Sequence, residues 1–176
     1  MKNTLLNNEI YLEPGHICIP RKPVKLYSVV GSGVVITMFD ARRKYGGMNH
    51  YIKPIREKPA DSTPLFACPS IIGLIDMLKK HGSRVEDLEA QVYGGASKPD
   101  AEAFVEGLSD KNIEIAFELL AYKKIRVAGK DIGGDRGRKV VFNTATGETI
   151  VAKVDRIRSL DWYPSVNDSR SGSFDF

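Results

Sequence analysis

Cysteine is scarce in this chain, with only Cys18 and Cys68 among 176 residues. Two thiols cannot build the disulfide framework of a small secreted scaffold, and they point to a reducing, cytoplasmic compartment. Histidine is also sparse. His16, His50 and His81 lie far apart, and neither C-x-x-C nor H-x-x-x-H occurs, so no metal centre is expected. No stretch approaches the roughly 18–20 apolar residues of a membrane span. Met1 to Gly15 has no apolar run of the signal-peptide kind. Charge of one sign is nearly absent as a bias: 26 Lys and Arg stand against 22 Asp and Glu, for a net charge of +4. The basic clusters Arg21, Lys22, Lys25 and Arg42, Arg43, Lys44 lack interleaved aromatics, so a nucleic-acid-binding module is the weakest reading. What is present, 42% apolar and 27% charged residues, suits a globular domain with a real core.

The length suits one domain and a tail. Residues 1–160 are read as the domain and 161–176 as a mobile C-terminal tail, with Trp162 and Tyr163 as its candidates for docking. A short strand is expected at Ile10–Leu12. Val24–Val30 and Val34–Phe39 are rich in β-branched residues and read as strands on either side of Gly31-Ser32-Gly33. A third strand is expected at Met48–Ile52. Pro69–His81 has a helical stripe of Ile71, Leu74, Ile75 and Leu78, with Gly82 as its stop. Leu88–Tyr93 reads as a strand. A helix capped by Ser109 runs to about Tyr122, with Ile113, Ala116, Phe117 and Leu120 at helical spacing. Ile125–Val127, Lys139–Asn143 and Thr149–Val154 complete the strands. This uneven alternation favours an α+β fold of mixed-sheet α/β layers over a doubly wound one.

Gly31-Ser32-Gly33 lacks the Lys-Ser/Thr of a phosphate loop and the third glycine of a dinucleotide fingerprint. The Asp131–Arg138 segment, with Gly133, Gly134 and Gly137, reads as a solvated charged turn. The sharper arrangement pairs two glycine breaks with a histidine: Gly31-Ser32-Gly33 between apolar strands, and His50 closing Gly46-Gly47-Met48-Asn49-His50. Glycines let backbone approach a substrate, and a histidine can move a proton near neutral pH.

These residues resemble a known family. Tyr27-Ser28-Val29-Val30-Gly31-Ser32-Gly33-Val34-Val35-Ile36 resembles the T-x-L-G-S-C-V-A-V strand of the CheD chemoreceptor glutamine deamidases. Gly46-Gly47-Met48-Asn49-His50-Tyr51-Ile52-Lys53-Pro54 is similar to its G-G-M-x-H-x-x-L-P. Leu88 to Ser97 is similar to its L-E-A-K-x-F-G-G-A, Leu108 to Asn112 to its I-G-x-x-N, and Asp131 to Arg138 to its D-x-G-G-x-x-x-R. The resemblance implies a layered fold shared with deamidating bacterial toxins. It implies hydrolysis of receptor glutamine to glutamate by a cysteine, a histidine and a threonine, without metal or organic cofactor. The implied partners are chemoreceptor cytoplasmic helices and a CheC-type phosphatase.

The departures fall at the centre of that chemistry. His50 occupies the histidine position, but Gly33 stands where the family has its cysteine. Ser28 aligns with the threonine, and Tyr27 does so if the register slips by one. Ser32 is adjacent, but its side chain is expected on the opposite face of the strand. Cys18 and Cys68 lie outside the motif and are the candidates for a displaced nucleophile. The expectation is a CheD-like protein that binds its partners with deamidation weakened or lost. An active deamidase using a displaced thiol is the alternative. Gly33 and His50 are expected to face each other across neighbouring strands, with Ser28 aimed at the imidazole. A small gap is expected at Gly33, into which cysteine fits without backbone movement.

Overall fold

The computed structural model describes residues 8–55, 62–102 and 104–155. The candidate tail, 161–176, lies outside them. Among the described residues nine strands form two mixed sheets, and two α-helices cover one face of the larger sheet.

The run Val34-Val35-Ile36-Thr37-Met38 makes β4 (Val34–Asp40), buried along almost its whole length and central in a five-stranded sheet. That sheet has the order β2 (His16–Cys18), β5 (Tyr45–Tyr51), β4, β6 (Leu88–Gly94), β7 (Arg126–Ile132). All its pairings are antiparallel except β6 with β7, which is parallel. A second sheet has the order β1 (Glu9–Tyr11), β3 (Lys25–Val30), β8 (Gly137–Asn143), β9 (Thr149–Val154), with only β1 and β3 parallel.

Alternation along β4 sorts the core into two layers, as it must when successive side chains point to opposite faces. Val34, Ile36 and Met38 pack against the helices with Ile71, Leu74, Leu78, Ala116 and Leu120. Val35 joins Leu26, Val30, Met48, Val140 and Phe142 between the sheets. The molecule is therefore a sheet–sheet–helix sandwich, an α+β single domain as expected.

α1 (Ala67–Lys80) begins two residues before the expected start, placing Pro69 in its first turn, where its missing N–H costs nothing. Lys79 and Lys80 complement the dipole at its end, and Gly82 follows with φ +92°. α2 (Leu108–Tyr122) buries Ser109, Asn112, Ala116 and Leu120 as one stripe. The expected Ser109 cap is corrected. Gly107 in the left-handed region precedes the helix, and the Ser109 hydroxyl donates to the Ala96 carbonyl at 2.7 Å. β2 lies where only loop was expected. β7 extends well past Val127, because its parallel pairing with β6 carries it to Ile132.

Candidate active site

His50 sits near the end of β5 and its ring enters the layer between the sheets, 1% exposed. Pairing aligns His16, His50, Val35, Tyr93 and Asp131 as one row across β2, β5, β4, β6 and β7. From the opposite sheet, Ser28 on β3 brings its hydroxyl 2.9 Å from His50 Nδ1. The same hydroxyl donates to the Leu12 carbonyl, also at 2.9 Å. The hydroxyl, the imidazole and the Leu12 carbonyl thus form one buried hydrogen-bonded cluster. Burial pushes the imidazole down from 6.5 to about 3, the nearby His16 adds to the fall, and the Leu12 carbonyl opposes it. His50 is neutral at physiological pH, the charge state a general base requires.

Tyr27, the alternative partner, points to the outer face of its sheet. It stacks on Tyr11 with ring centroids 4.8 Å apart and donates to Glu9 at 2.9 Å. The structure thus brings Ser28, not Tyr27, to the histidine.

Gly33 immediately precedes β4, whose first pair is Val34 with Tyr51, and its φ lies outside the left-handed region. The expected room for a side chain there is corrected. A Cβ built on Gly33 would lie 2.4 Å from the Tyr51 carbonyl oxygen and 2.9 Å from Ile52 Cγ2. The turn is pressed against the end of β5 and held from several sides. Gly95 N–H donates to Gly33 O at 2.7 Å, and Ala96 N–H donates to Gly31 O at 2.8 Å. Asn112 Nδ2 donates to both Ser32 O and Ile52 O, each at 3.0 Å. Gly94, at φ +116°, approaches so closely that its own Cβ would lie 2.4 Å from Gly33 O. At position 94 only glycine fits that contact.

The two thiols are placed differently. Cys68 is exposed in the first turn of α1 and lines an apolar groove of about 320 Å³ with Phe66, Leu119 and Tyr122. That groove belongs to the helical layer, on the face of the sheet opposite His50. Cys18 is partly buried between the sheets and paired in register with Met48, and burial pushes its thiol up to about 11. Among the described residues no group of three or more potential metal ligands occurs.

The Asp131–Arg138 segment is a solvated charged turn at Gly134, Asp135 and Arg136, as expected, but it ends on a buried anchor. The Arg138 side chain is 2% exposed, donates to Asp131 Oδ1 at 2.8 Å and reaches the Arg136 carbonyl. Its signal was present in the alternation Arg138, Val140, Phe142, which gives all three the same face. Asn112 likewise occupies a core position on the buried stripe of α2.

The family model described as "CheD chemotactic sensory transduction" matches residues 53–153. The "Probable chemoreceptor glutamine deamidase CheD 2" of Geobacter sulfurreducens is 33% identical over 147 residues, covering 84% of this chain and 91% of that protein. The CheD 1 protein of Anaeromyxobacter dehalogenans is 32% identical over 146 residues, with 83% and 85% covered. The CheD protein of Trichlorobacter lovleyi is 31% identical over 143 residues, with 81% and 89% covered. The chain belongs to the CheD family. Ser28, Gly33 and His50 precede the stretch that the family model matches, whereas Asn112, Asp131 and Arg138 lie within it.

Proposed function

We propose that this protein works in chemotaxis as a CheD-family partner of chemoreceptor cytoplasmic helices and a CheC-type phosphatase, with glutamine deamidation weak or absent. What supports this reading is Gly33: the motif resemblance sets it at the family's cysteine position, it has no nucleophile, and a Cβ there would lie 2.4 Å from the Tyr51 carbonyl oxygen. Deamidation by such a site needs a thiolate to attack the carboxamide carbon. Ammonia then leaves and water hydrolyses the thioester to the carboxylate. The general-base half of that machinery is retained in His50 and its Ser28 anchor, but nothing at position 33 has a proton for it to take. A displaced thiol is disfavoured on two grounds. Cys68 lies on the far face of the sheet, and Cys18 is held as a thiol by burial.

The direct test is ammonia release from receptor cytoplasmic fragments, measured beside their binding to this protein. Binding without release above the uncatalysed background is expected. Robust release by the unmodified chain overturns the inactive reading. Loss of that release on replacing Cys18 or Cys68 would then identify the thiol responsible.

A further inference from the structure

We propose that Asn112 is the positioning residue of the candidate site. Its carboxamide sets how closely the Gly31–Gly33 turn sits against the end of the strand that carries His50.

Asn112 is completely buried on α2, yet its side chain does not serve the helix. Both Nδ2 protons leave the helix, one for Ser32 O in the turn and one for Ile52 O just beyond β5. Because both partners are acceptors, the carboxamide has a single orientation that satisfies them. Among the described residues its buried Oδ1 has no partner, a cost that ordinary core packing does not require. The helix is fastened to the same two segments nearby. Tyr51 OH donates to the Asn112 carbonyl at 2.7 Å, and Ser109 Oγ donates to Ala96 O, next to the amides that hold Gly31 and Gly33. Asn112 thus bridges the turn and the strand end from one amide group. The short distance between Gly33 and the Tyr51 carbonyl is the spacing that this bridge dictates. A hydrocarbon of similar size would fill the space and supply neither bond.

The inference is independent of whether the protein deamidates glutamine, and its test uses no activity. Native-state hydrogen exchange is followed by NMR on the full chain and on Asn112→Leu and Asn112→Asp. Both variants occupy the space, and neither can donate to the two carbonyls. Exchange at the Gly95 and Ala96 amides is expected to quicken by about tenfold or more while the β8 amides keep their rates, the pattern of local opening. The His50 ring nitrogen resonances are expected to move with them, since Ile52 lies two residues away. Full retention of Gly95 and Ala96 protection in Asn112→Leu would show that packing alone positions the turn, and would overturn the proposal. Equal acceleration of every amide, or unchanged His50 resonances, would overturn it too. Should Asn112→Leu not fold, Asn112→Ala removes both bonds without adding bulk and is read by the same comparison.

Discussion

Replacing Gly33 with cysteine puts a side chain where the turn leaves no room for one. The new Cβ would lie 2.4 Å from the Tyr51 carbonyl oxygen, about 1 Å inside ordinary van der Waals contact. Relief requires the turn to lift away from β5. The turn is held by the Gly95 and Ala96 amides and by Asn112, so lifting it strains three sets of hydrogen bonds at once. Overpacking of this kind costs roughly 1–3 kcal/mol. For a domain of this size that corresponds to a fall in Tm of roughly 2–12 °C. Thermal unfolding followed by circular dichroism measures it, with Gly33→Ala as the control that isolates the Cβ from the thiol. Gly33→Ala and Gly33→Cys are expected to fall together, and Gly33→Cys is expected to release little ammonia from receptor fragments. If both variants unfold within about 0.5 kcal/mol of the parent, the size of an ordinary surface substitution, the turn moves freely and the argument from close approach fails.

The buried His50 makes stability pH-dependent. Its folded value is depressed from 6.5 to about 3, so its contribution is complete above about pH 6.5 and lost as pH falls through that window. The slope is about 1.4 kcal/mol per pH unit, or about 2 kcal/mol between pH 6.5 and 5. Urea unfolding of the parent and His50→Gln across this range should differ in slope by about one proton; parallel curves refute it. Removing the carboxylate in Asp131→Ala strands the Arg138 guanidinium in the core and should cost roughly 2–4 kcal/mol, reduced from a fully buried pair because Asp131 is partly exposed. Equilibrium unfolding with no measurable change would place Arg138 in solvent instead. Exposed Cys68 should be alkylated by iodoacetamide well before Cys18, which at pH 8 is thiolate in roughly one molecule in a thousand. Peptide mass spectrometry gives the order, and faster labelling of Cys18 contradicts it.

Strands β3 and β4 were legible because their β-branched runs need cover on both faces, and the layered α+β arrangement followed from the order of elements. β2 was not legible. Three residues at a sheet edge carry no periodicity, and His16–Cys18 is a strand only because β5 lies beside it. β7 escaped for a related reason. Gly129, Lys130 and Asp131 have poor strand preference, and pairing with β6 overrides it. At the site, His50 and Ser28 were readable from motif spacing, and the inward alternation of strand residues explains why they meet. The closed space at Gly33 was not readable. It is made first by the Tyr51 carbonyl, a group that every residue has and that leaves no mark on side-chain identity, with Ile52 packed beside it. Asn112 and Arg138 left a mark of the opposite kind, polar residues at positions whose periodicity points inward.

The four-stranded sheet is assembled from the two ends of the described chain. β1 and β3 come from residues 9–30, and their partners β8 and β9 from residues 137–154. The five-stranded sheet takes most of its strands from the sequence between. A nascent chain can therefore form the β4–β5 hairpin early, as a local contact. β3 has no antiparallel neighbour until nearly the whole polypeptide has been made. Ser28 reaches His50 only when that outer sheet closes over the inner one, so their hydrogen bond should be among the last native contacts to form. Such distant pairing slows folding and leaves an open strand edge meanwhile. A truncation that removes β8 and β9 would cost the protein far more than two peripheral strands: it would uncover the inter-sheet layer and leave the histidine in water.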